Sequence, residues 1–179
     1  ALPGSEVRVV SEDGTPADSD EEGLLQARPN ALFVGYMQRP QDYGVDADGW
    51  FDTGDYARMD ADGYIRITGR AKDILIRGGE NVPVVEVEDI LYRHPAIREC
   101  AIVAMPDPRL GERGCLFVGL AEGAAFDFEE MSAHLHAHGM AIQYHPEKLV
   151  IRDDFPRTPS GKIQKFKLRE EAQNFSPDR

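Results

Sequence analysis

Three segments of the chain combine charged side chains with glycine or proline in patterns that could support chemistry. The first, residues 49–55, places two carboxylates, Asp52 and Asp55, after an aromatic pair and around a glycine. A carboxylate at such a turn can accept two hydrogen bonds from the hydroxyls of a sugar. The pattern also fits an aspartate that only caps a turn. A calcium loop is a poorer interpretation, because the closing glutamate of that motif is missing.

The second segment, residues 69–81, lies where the composition of the chain changes. It carries Arg70 and Lys72, then an apolar run that ends in Arg77, and then the paired glycines Gly78 and Gly79. Paired glycines permit close backbone approach or positive φ. We interpret the segment as a hinge. The alternative is a strand–turn–helix junction with Arg77 in solvent.

The third segment, residues 156–165, is basic and contains the run Pro159-Ser160-Gly161-Lys162. Small and rigid residues before Lys162 would let a long cation reach into a crowded cleft. An ammonium group is suited to an oxyanion or a phosphate because it is a compact point charge. The segment is not a Walker phosphate loop, since Pro156 occupies the position at which that motif requires glycine. The alternative is a plain basic loop.

Three histidines, His134, His136 and His138, lie in one predicted helix. His134 and His138 share a helical face, but no glutamate or third ligand accompanies them. The pattern therefore favours a solvated helix end over a metal site. We predict no metal site formed by side chains of this chain.

The elements that must position these segments change in character along the chain. The first seventy residues read as short strands separated by turns, with an acidic loop over residues 18–22. The predicted strands cover residues 7–10, 31–36 and a hairpin formed by 56–59 and 64–68. Beyond Gly69 apolar residues recur at helical spacing. There we predict helices over 84–94 and 126–139, strands over 99–105, 114–121 and 149–151, and a loop over 106–112.

This change predicts two parts of an α+β protein, a β-rich piece over residues 1–71 and a small α+β domain over residues 72–179.

The formal net charge is −12, which argues against nucleic acid and anionic membranes as principal partners. No apolar run reaches the roughly 18 residues that a membrane helix needs. Cys100 and Cys115 are too few for a disulfide framework and are expected to be buried thiols, which fits a cytoplasmic protein. The opening residues do not read as a natural start, so we expect a piece of a longer protein.

In their order, the three segments closely resemble the last motifs of the adenylate-forming enzymes. That superfamily includes acyl-CoA synthetases, peptide-synthetase adenylation domains and luciferases. The resemblance extends from about Leu2 to Leu168 and rests on residues 50–55, 69–73, 77–82 and 159–162. Residues 76–81 and 155–162 are most similar to those of short- and medium-chain acyl-CoA synthetases. The implied architecture is the β-rich distal part of a large N-terminal domain, residues 1–71, followed by a C-terminal lid, residues 72–179.

The resemblance implies a role for each matching residue. Asp55 corresponds to the residue that binds the ribose hydroxyls of ATP, and Arg70 to the arginine that supports it. Lys72 corresponds to the hinge about which the lid rotates. Lys162 corresponds to the lysine that contacts the carboxylate and the α-phosphate while the adenylate forms. A loop that serves the thioester step and lines the pantetheine tunnel corresponds to Gly78, Gly79 and Glu80.

The reaction that the resemblance implies joins a fatty or other carboxylic acid to ATP, giving an acyl-adenylate and pyrophosphate. CoA then takes the acyl group and AMP leaves, and magnesium (Mg²⁺) accompanies the ATP. The phosphate-binding loop and acyl pocket of the family have no counterpart here, so we expect the isolated chain to be inactive. Alternatives are an acyl-AMP ligase or adenylation domain that serves a carrier protein, and a non-catalytic binding or regulatory module.

Two further expectations concern particular positions. Lys162, on a Pro-Ser-Gly loop, suits a protein acetyltransferase, because acetylation would remove the charge that its role requires. Residues 143–146, Gln-Tyr-His-Pro, replace a lysine-bearing version that is more usual in the family. Leu25 and the pair Pro29-Asn30 stand where an acidic residue and Gly-Pro are common.

Overall fold

The computed structural model describes residues 4–11, 13–30 and 44–176. The chain forms two compact units, Ala1–Lys72 and Asp73–Arg179. This division lies one residue beyond the boundary that the sequence predicts. The predicted strand over residues 31–36 lies outside the described residues.

The first unit contains a four-stranded antiparallel sheet in the order β1-β2-β3-β4. Its strands are β1 (Glu6–Val10), β2 (Glu22–Arg28), β3 (Phe51–Met59) and β4 (Ile65–Arg70). The predicted β1 and the hairpin of β3 and β4 are present. Asp60 accepts the amide of Gly63 at 3.0 Å and closes the hairpin turn, where Gly63 has a φ of 82°.

Strand β2 has no counterpart among the predicted strands. Its sequence contains Gly23 and two adjacent leucines, which obscure the two-residue alternation of a half-buried strand. Only the structure shows why glycine fits there, since a Cβ at Gly23 would lie 2.3 Å from the carbonyl oxygen of Val10. The core of this unit is small and centres on Val9, Leu25 and Ala57.

The second unit is built on a five-stranded mixed sheet. Its strands are β5 (Leu75–Arg77), β6 (Glu80–Val82), β7 (Ile97–Asp107), β8 (Gly111–Leu120) and β9 (Lys148–Ile151). The order is β6-β5-β8-β7, and β9 pairs with β8 in parallel. The loop predicted over residues 106–112 is wrong in extent, because β7 and β8 pair as far as Asp107 and Gly111. Pro106 is tolerated within β7 because β7 is an edge strand.

Three helices complete this unit: α1 (Val84–Leu91), α2 (Phe128–Ala137) and α3 (Lys165–Ala172). Helix α1 ends three residues before the predicted His94. Asp127 caps α2 by accepting the amide of Glu130 at 2.9 Å. Helix α3 was not predicted, because only Leu168 and Ala172 mark its buried face and two positions give too little periodicity.

Strand β7 divides its apolar side chains between the two faces of the sheet. Cys100, Ile102 and Ala104 pack in the cluster that includes α1 and α2. The alternate residues Ala101, Val103 and Met105 pack in the cluster that includes α3. Because successive side chains of a strand point to opposite faces, one continuous apolar run serves both layers.

The two thiols, Cys100 and Cys115, are buried and not disulfide-bonded, as predicted. Burial raises the pKa of the Cys100 thiol, so it stays protonated and unreactive at neutral pH. None of the helices in the described part of the chain has the length and apolar character needed to span a membrane.

Candidate functional site

In the first unit, Asp55 and Arg70 meet directly. They stand opposite one another where β3 pairs with β4, and the Nε atom of Arg70 donates to Oδ1 of Asp55 at 2.8 Å. The Arg70 side chain is 67% exposed and that of Asp55 is 21% exposed. The predicted pair of nucleotide residues is therefore a single ion pair, with one carboxylate oxygen turned toward the arginine.

The sequence suggests that Asp55 lies at the edge of a strand, but the structure places it in a β-bulge. Between the pairs Leu24–Tyr56 and Gln26–Asp52, three residues of β3 stand opposite Leu25 alone. Gly54, with a φ of 72°, makes this bulge possible, and Thr53 fixes it by donating to the carbonyl of Leu25 at 2.9 Å.

Trp50, at the start of this motif, has a supporting position. Its ring lies between the guanidinium groups of Arg8 and Arg28, at 4.2 and 4.7 Å from the ring centroid. Its backbone amide donates to Oδ1 of Asp46 at 2.8 Å. The aromatic residue thus fixes the beginning of β3 through cation–π contacts.

The predicted hinge, Lys72, is exposed and lies in a short 3₁₀ helix, Ala71–Asp73. It is the last residue of the first unit, and Asp73 is the first residue of the second. Asp73 is fixed within the second unit, where its Oδ1 accepts from Arg169 of α3 at 3.0 Å. The chain therefore enters the second unit at a defined point, directly after Lys72.

Gly78, Gly79 and Glu80 form the turn between β5 and β6, and all three are exposed. We name residues 77–80 the glycine hairpin. Its register pairs Arg77 with Glu80, and the two glycines have φ values of 60° and 90°. Positive φ at both central positions is what a two-residue type I′ hairpin turn requires. The glycines therefore have a backbone reason to be there, besides any role toward a ligand.

The glycine hairpin is hydrogen-bonded to the turn between β7 and β8. The amide of Gly78 donates to the carbonyl of Leu110 at 2.8 Å, and Arg77 pairs with Gly111. The amide of Ile76 donates to Oε2 of Glu112 at 2.9 Å.

Arg77 is not in solvent, because it reaches a buried carboxylate that the sequence had not marked. Its Nε donates to Oε1 of Glu147 at 2.8 Å, and Nη1 of Arg113 donates to the same oxygen at 3.1 Å. Arg113 also binds Asp107 at 2.5 Å. The Leu110 amide and Arg113 together hold the pKa of Asp107 below its usual range. Glu147 follows Pro146 at the beginning of a strand, and no periodic signal distinguishes it from a surface glutamate.

Lys162 is exposed directly after the tip of a second turn, which we name the lysine loop, residues 157–163. Thr158 and Lys162 close the turn, with the amide of Thr158 donating to the carbonyl of Lys162 at 2.8 Å. The amide of Lys162 donates to Oγ1 of Thr158 at 3.1 Å, and Gly161 has a φ of 87°. Among the described residues, the Lys162 ammonium has no ion-pair partner.

Arg157 holds the base of the lysine loop. Its Nη1 donates to the carbonyl of Gly161 at 2.9 Å, and its Nη2 binds Oε2 of Glu99 in β7. Glu99 also accepts from Arg98 at 3.2 Å. Arg157 and Glu99 are a second pair of positioning residues that the sequence had not marked.

The lysine loop and the glycine hairpin lie at opposite ends of the β7–β8 hairpin. Glu99, which holds the lysine loop, pairs with Gly119 near the open end, whereas Asp107 pairs with Gly111 at the turn. Eight residues of β7 separate Glu99 from Asp107, which corresponds to roughly 26 Å at about 3.3 Å per residue. The residues of β7 that anchor the two turns are therefore well separated along the strand.

Of the three histidines, His134 is packed against its neighbours, whereas His136 and His138 are exposed at the end of α2. Nε2 of His134 donates to the carbonyl of Ile90 at 3.0 Å, and its ring lies edge-on to that of His94 with the centroids 4.7 Å apart. His138 lies 4.4 Å from His134. In the part of the chain that the structure describes, no group of three His, Cys, Asp or Glu side chains could hold a metal ion.

The segment of residues 143–146 contributes packing rather than a charged surface. His145 is buried and its Nδ1 lies 3.2 Å from the hydroxyl of Ser132 in α2, while its Nε2 lies 3.1 Å from the carbonyl of Met140. Tyr144 packs against the core beside it.

Comparison with known proteins assigns both units to one family. The family model described as AMP-binding enzyme C-terminal domain matches residues 86–162. The medium-chain fatty-acid–CoA ligase of Escherichia coli (strain K12) is 44% identical over 174 residues, which cover 96% of this chain and 31% of that protein. Residues 86–162 thus match the C-terminal domain of AMP-binding enzymes, and the similarity to the ligase extends over both units. The predicted membership among adenylate-forming enzymes is thereby confirmed.

Other members of the AMP-binding family agree with this assignment. The human mitochondrial medium-chain acyl-CoA ligase ACSF2 is 38% identical over 175 residues, covering 96% of this chain and 28% of that protein. The crystal structure of ATP-bound MatB from Rhodopseudomonas palustris is 32% identical with a TM-score of 0.88, and it covers 97% of this chain and 35% of that chain. The α+β fold that the sequence predicted is therefore confirmed. The chain spans about a third of the length of the relatives it matches.

Proposed function

We propose that this chain is the C-terminal portion of an AMP-forming acyl-CoA ligase that activates medium-chain fatty acids. The observation that carries the proposal is the placement of the lysine loop and the glycine hairpin at opposite ends of the β7–β8 hairpin. A reaction in two steps needs two sets of groups in turn, and one unit that carries both can supply them only by reorienting. The similarity to medium-chain ligases supports the substrate class.

In the first step, a carboxylate oxygen attacks the α-phosphorus of ATP and pyrophosphate leaves. The negative charge that gathers around phosphorus is stabilised by the Lys162 ammonium, which is exposed in its loop and has no ion-pair partner among the described residues. Asp55 accepts hydrogen bonds from the ribose hydroxyls through the carboxylate oxygen not bound to Arg70. Arg70 orients the Asp55 carboxylate through its ion pair.

In the second step, the thiol of CoA attacks the acyl carbonyl and AMP leaves. The glycine hairpin then lines the path of the pantetheine chain, where the missing side chains of Gly78 and Gly79 leave room for it. The second unit turns about Lys72, the exposed last residue of the first unit. We assign residues 1–71 to the distal part of the N-terminal domain and residues 72–179 to the lid.

Magnesium is proposed to arrive with ATP and to be held by its phosphates, since the described residues do not fit a metal site of their own. A cytoplasmic location is a prediction that rests on the two buried thiols. We also propose that a protein acetyltransferase can modify Lys162, and mass spectrometry of the native protein that always found this lysine unmodified would contradict that.

The experiment that tests the function measures both half-reactions in the full-length protein, across acids from acetate to palmitate. Pyrophosphate release reports adenylation, and acyl-CoA reports the thioester step. Lys162→Ala should slow adenylation by about 10²- to 10³-fold. Lys167→Ala, an exposed lysine of α3, is the matched control and should match wild type.

Each outcome of this experiment has a distinct meaning. Turnover that depends on CoA and has an optimum at medium chain length supports the proposal. Adenylate without acyl-CoA would indicate delivery to a carrier protein instead. Turnover by the 179-residue chain alone would contradict the prediction that it is inactive, and normal adenylation by Lys162→Ala would remove the assigned role.

A further inference from the structure

Glu147 is the most thoroughly buried charged group among the described residues. Its side chain is 1% exposed, whereas that of Arg77 is 24% exposed. A carboxylate taken out of water is costly unless charged hydrogen-bond donors surround it. Glu147 has two charged donors, the guanidinium groups of Arg77 and Arg113 on Oε1, and one neutral donor, the amide of Gly114 on Oε2 at 3.3 Å.

Glu147 lies where the strand that pairs with β8 changes from β5 to β9. Beside Gly111 that strand is β5, and from Cys115 onward it is β9. Between them, the amide of Glu147 donates to the carbonyl of Gly114 at 2.8 Å. A Cβ at Gly114 would lie 3.2 Å from the backbone of Pro146, so glycine lets this segment approach closely. The backbone of Glu147 is thereby fixed against Gly114, and its Oε1 accepts hydrogen bonds from the two arginines.

The glycine hairpin has few other attachments to the rest of its unit. Its ladder with β8 is limited to the pair Arg77–Gly111, and the Gly78 amide bonds only the turn at Leu110. Leu75 and Val82 anchor the far end of this two-strand ribbon in the core, but the short ladder with β8 does not by itself fix the orientation of residues 77–80. Arg77 is the last residue before the turn, so its bond to Glu147 acts directly on the direction in which Gly78 and Gly79 point.

We propose that Glu147, with Arg113 behind it, is a positioning group for the thioester step, because it fixes Arg77 and so orients the glycine hairpin. The inference rests on the proposed function and deepens it. Glu147 contacts no substrate. It acts through Arg77, whose planar guanidinium can be aligned by a carboxylate in a way that an ammonium cannot. The lysine loop is anchored at Glu99, five residues along β7 from Ala104, the partner of Gly114, which corresponds to roughly 17 Å at about 3.3 Å per residue, and it does not depend on Glu147.

The decisive variant is Glu147→Gln in the full-length protein, with the two half-reactions measured separately. We expect adenylation to stay within about twofold of wild type and the single-turnover conversion of preformed acyl-adenylate with CoA to fall about tenfold. A second variant, Arg77→Lys, keeps the charge but removes the Nε donor, and it should give the same asymmetry. Glu88→Gln is the matched control, since the Glu88 carboxylate is paired with Lys165 and the Ile102 amide rather than with the hairpin.

Amide hydrogen exchange gives a readout that does not require activity. Glu147→Gln should speed exchange at Ile76 and Gly78, whose amides are hydrogen-bonded to the β7–β8 turn, and leave Thr158 and Lys162 unchanged. Glu88→Gln should leave all four unchanged. If Glu147→Gln does not fold, the same measurements on Arg77→Lys decide the proposal.

Equal loss in both half-reactions, or no loss in the thioester step, would overturn the proposal and leave Glu147 as a structural residue. Faster exchange in the hairpin without a slower thioester step would overturn it as well. If wild-type protein forms no acyl-CoA at all, the proposed function fails instead, and the exchange experiment then still reports whether Glu147 fixes the hairpin.

Discussion

The lysine loop and the glycine hairpin are held in different ways, although both are exposed turns that are anchored to the β7–β8 hairpin. The lysine loop is closed mainly by its own backbone, through the bonds between Thr158 and Lys162. Its ionic link to the sheet, Arg157 with Glu99, is partly exposed, and Ile163 packs against the core beneath it. The glycine hairpin is instead attached through a buried ionic network that ends on Glu147.

This difference matches the two tasks that we propose. A lysine that delivers a point charge needs a short rigid turn but little further orientation, because an ammonium group has no preferred plane. A backbone surface that guides a long thiol-bearing chain must have a fixed orientation, and this orientation requires support from the protein interior. We therefore expect changes to the lysine loop to be local, and changes beneath the glycine hairpin to act at a distance.

The largest effects that sharpen this comparison should come from two matched glycine substitutions, Gly79→Ala and Gly161→Ala. Both positions have φ near 90°, and an added Cβ at either would meet nothing within 4 Å. The cost is therefore that of the backbone conformation alone, about 1–2 kcal/mol. If that cost lowers the population of the native turn conformation, the rate of one half-reaction should fall roughly 5- to 30-fold in each variant.

We expect Gly79→Ala to slow the thioester step and Gly161→Ala to slow adenylation, as measured by separate single-turnover assays. Gly123→Ala, which also has positive φ and open space around its Cβ, is the control and should slow neither step. A loss of the same half-reaction in both variants would break the assignment of separate tasks.

A smaller effect is expected from Glu99→Gln, which removes the ionic link beneath the lysine loop. The pair of Glu99 with Arg157 is partly exposed, and such pairs contribute about 0.2–1 kcal/mol. Adenylation should therefore slow only about 1.5- to 5-fold, with the thioester step unaffected. A loss in adenylation as large as that of Lys162→Ala would show that the loop depends on the sheet far more than its own bonds indicate.

The smallest effect concerns pH and Asp107, at the far end of the ionic network. Its pKa lies below the ordinary value in the folded protein, chiefly because the Leu110 amide donates to it. Asp107 therefore binds its proton more weakly when folded than when unfolded. Its contribution to stability is present above about pH 4 and is lost as the pH falls through its lowered pKa.

Asp107→Asn should accordingly lower the melting temperature slightly at pH 7 and show a shallower loss of stability between pH 4 and the acid limit. Thermal unfolding followed by circular dichroism at several pH values measures this. Asp89→Asn, an exposed residue of α1, is the control. An unchanged acid slope in Asp107→Asn would mean that the carboxylate is not stabilised by its neighbours as the geometry indicates.

The sequence by itself determined the family, the α+β fold class and most of the long elements. Helices α1 and α2 and strands β7 and β8 carry strong periodic signals, and the motifs around Asp55, Gly78 and Lys162 are distinctive in type and order. It did not reveal β2 or α3. In those segments, Gly23 beside paired leucines and a helix with two apolar positions carry too little local information.

Only the tertiary structure decided how the motifs are supported. Glu147, Arg113 and Glu99 are ordinary charged residues in the sequence. They become positioning groups because the tertiary fold brings them beneath distant turns, with Glu147 and Arg77 separated by 70 residues and Glu99 and Arg157 by 58. The opposite placement of the lysine loop and the glycine hairpin likewise follows from the length of β7, not from any local pattern. Long-range pairing is set by packing of the whole unit, which no window of sequence contains.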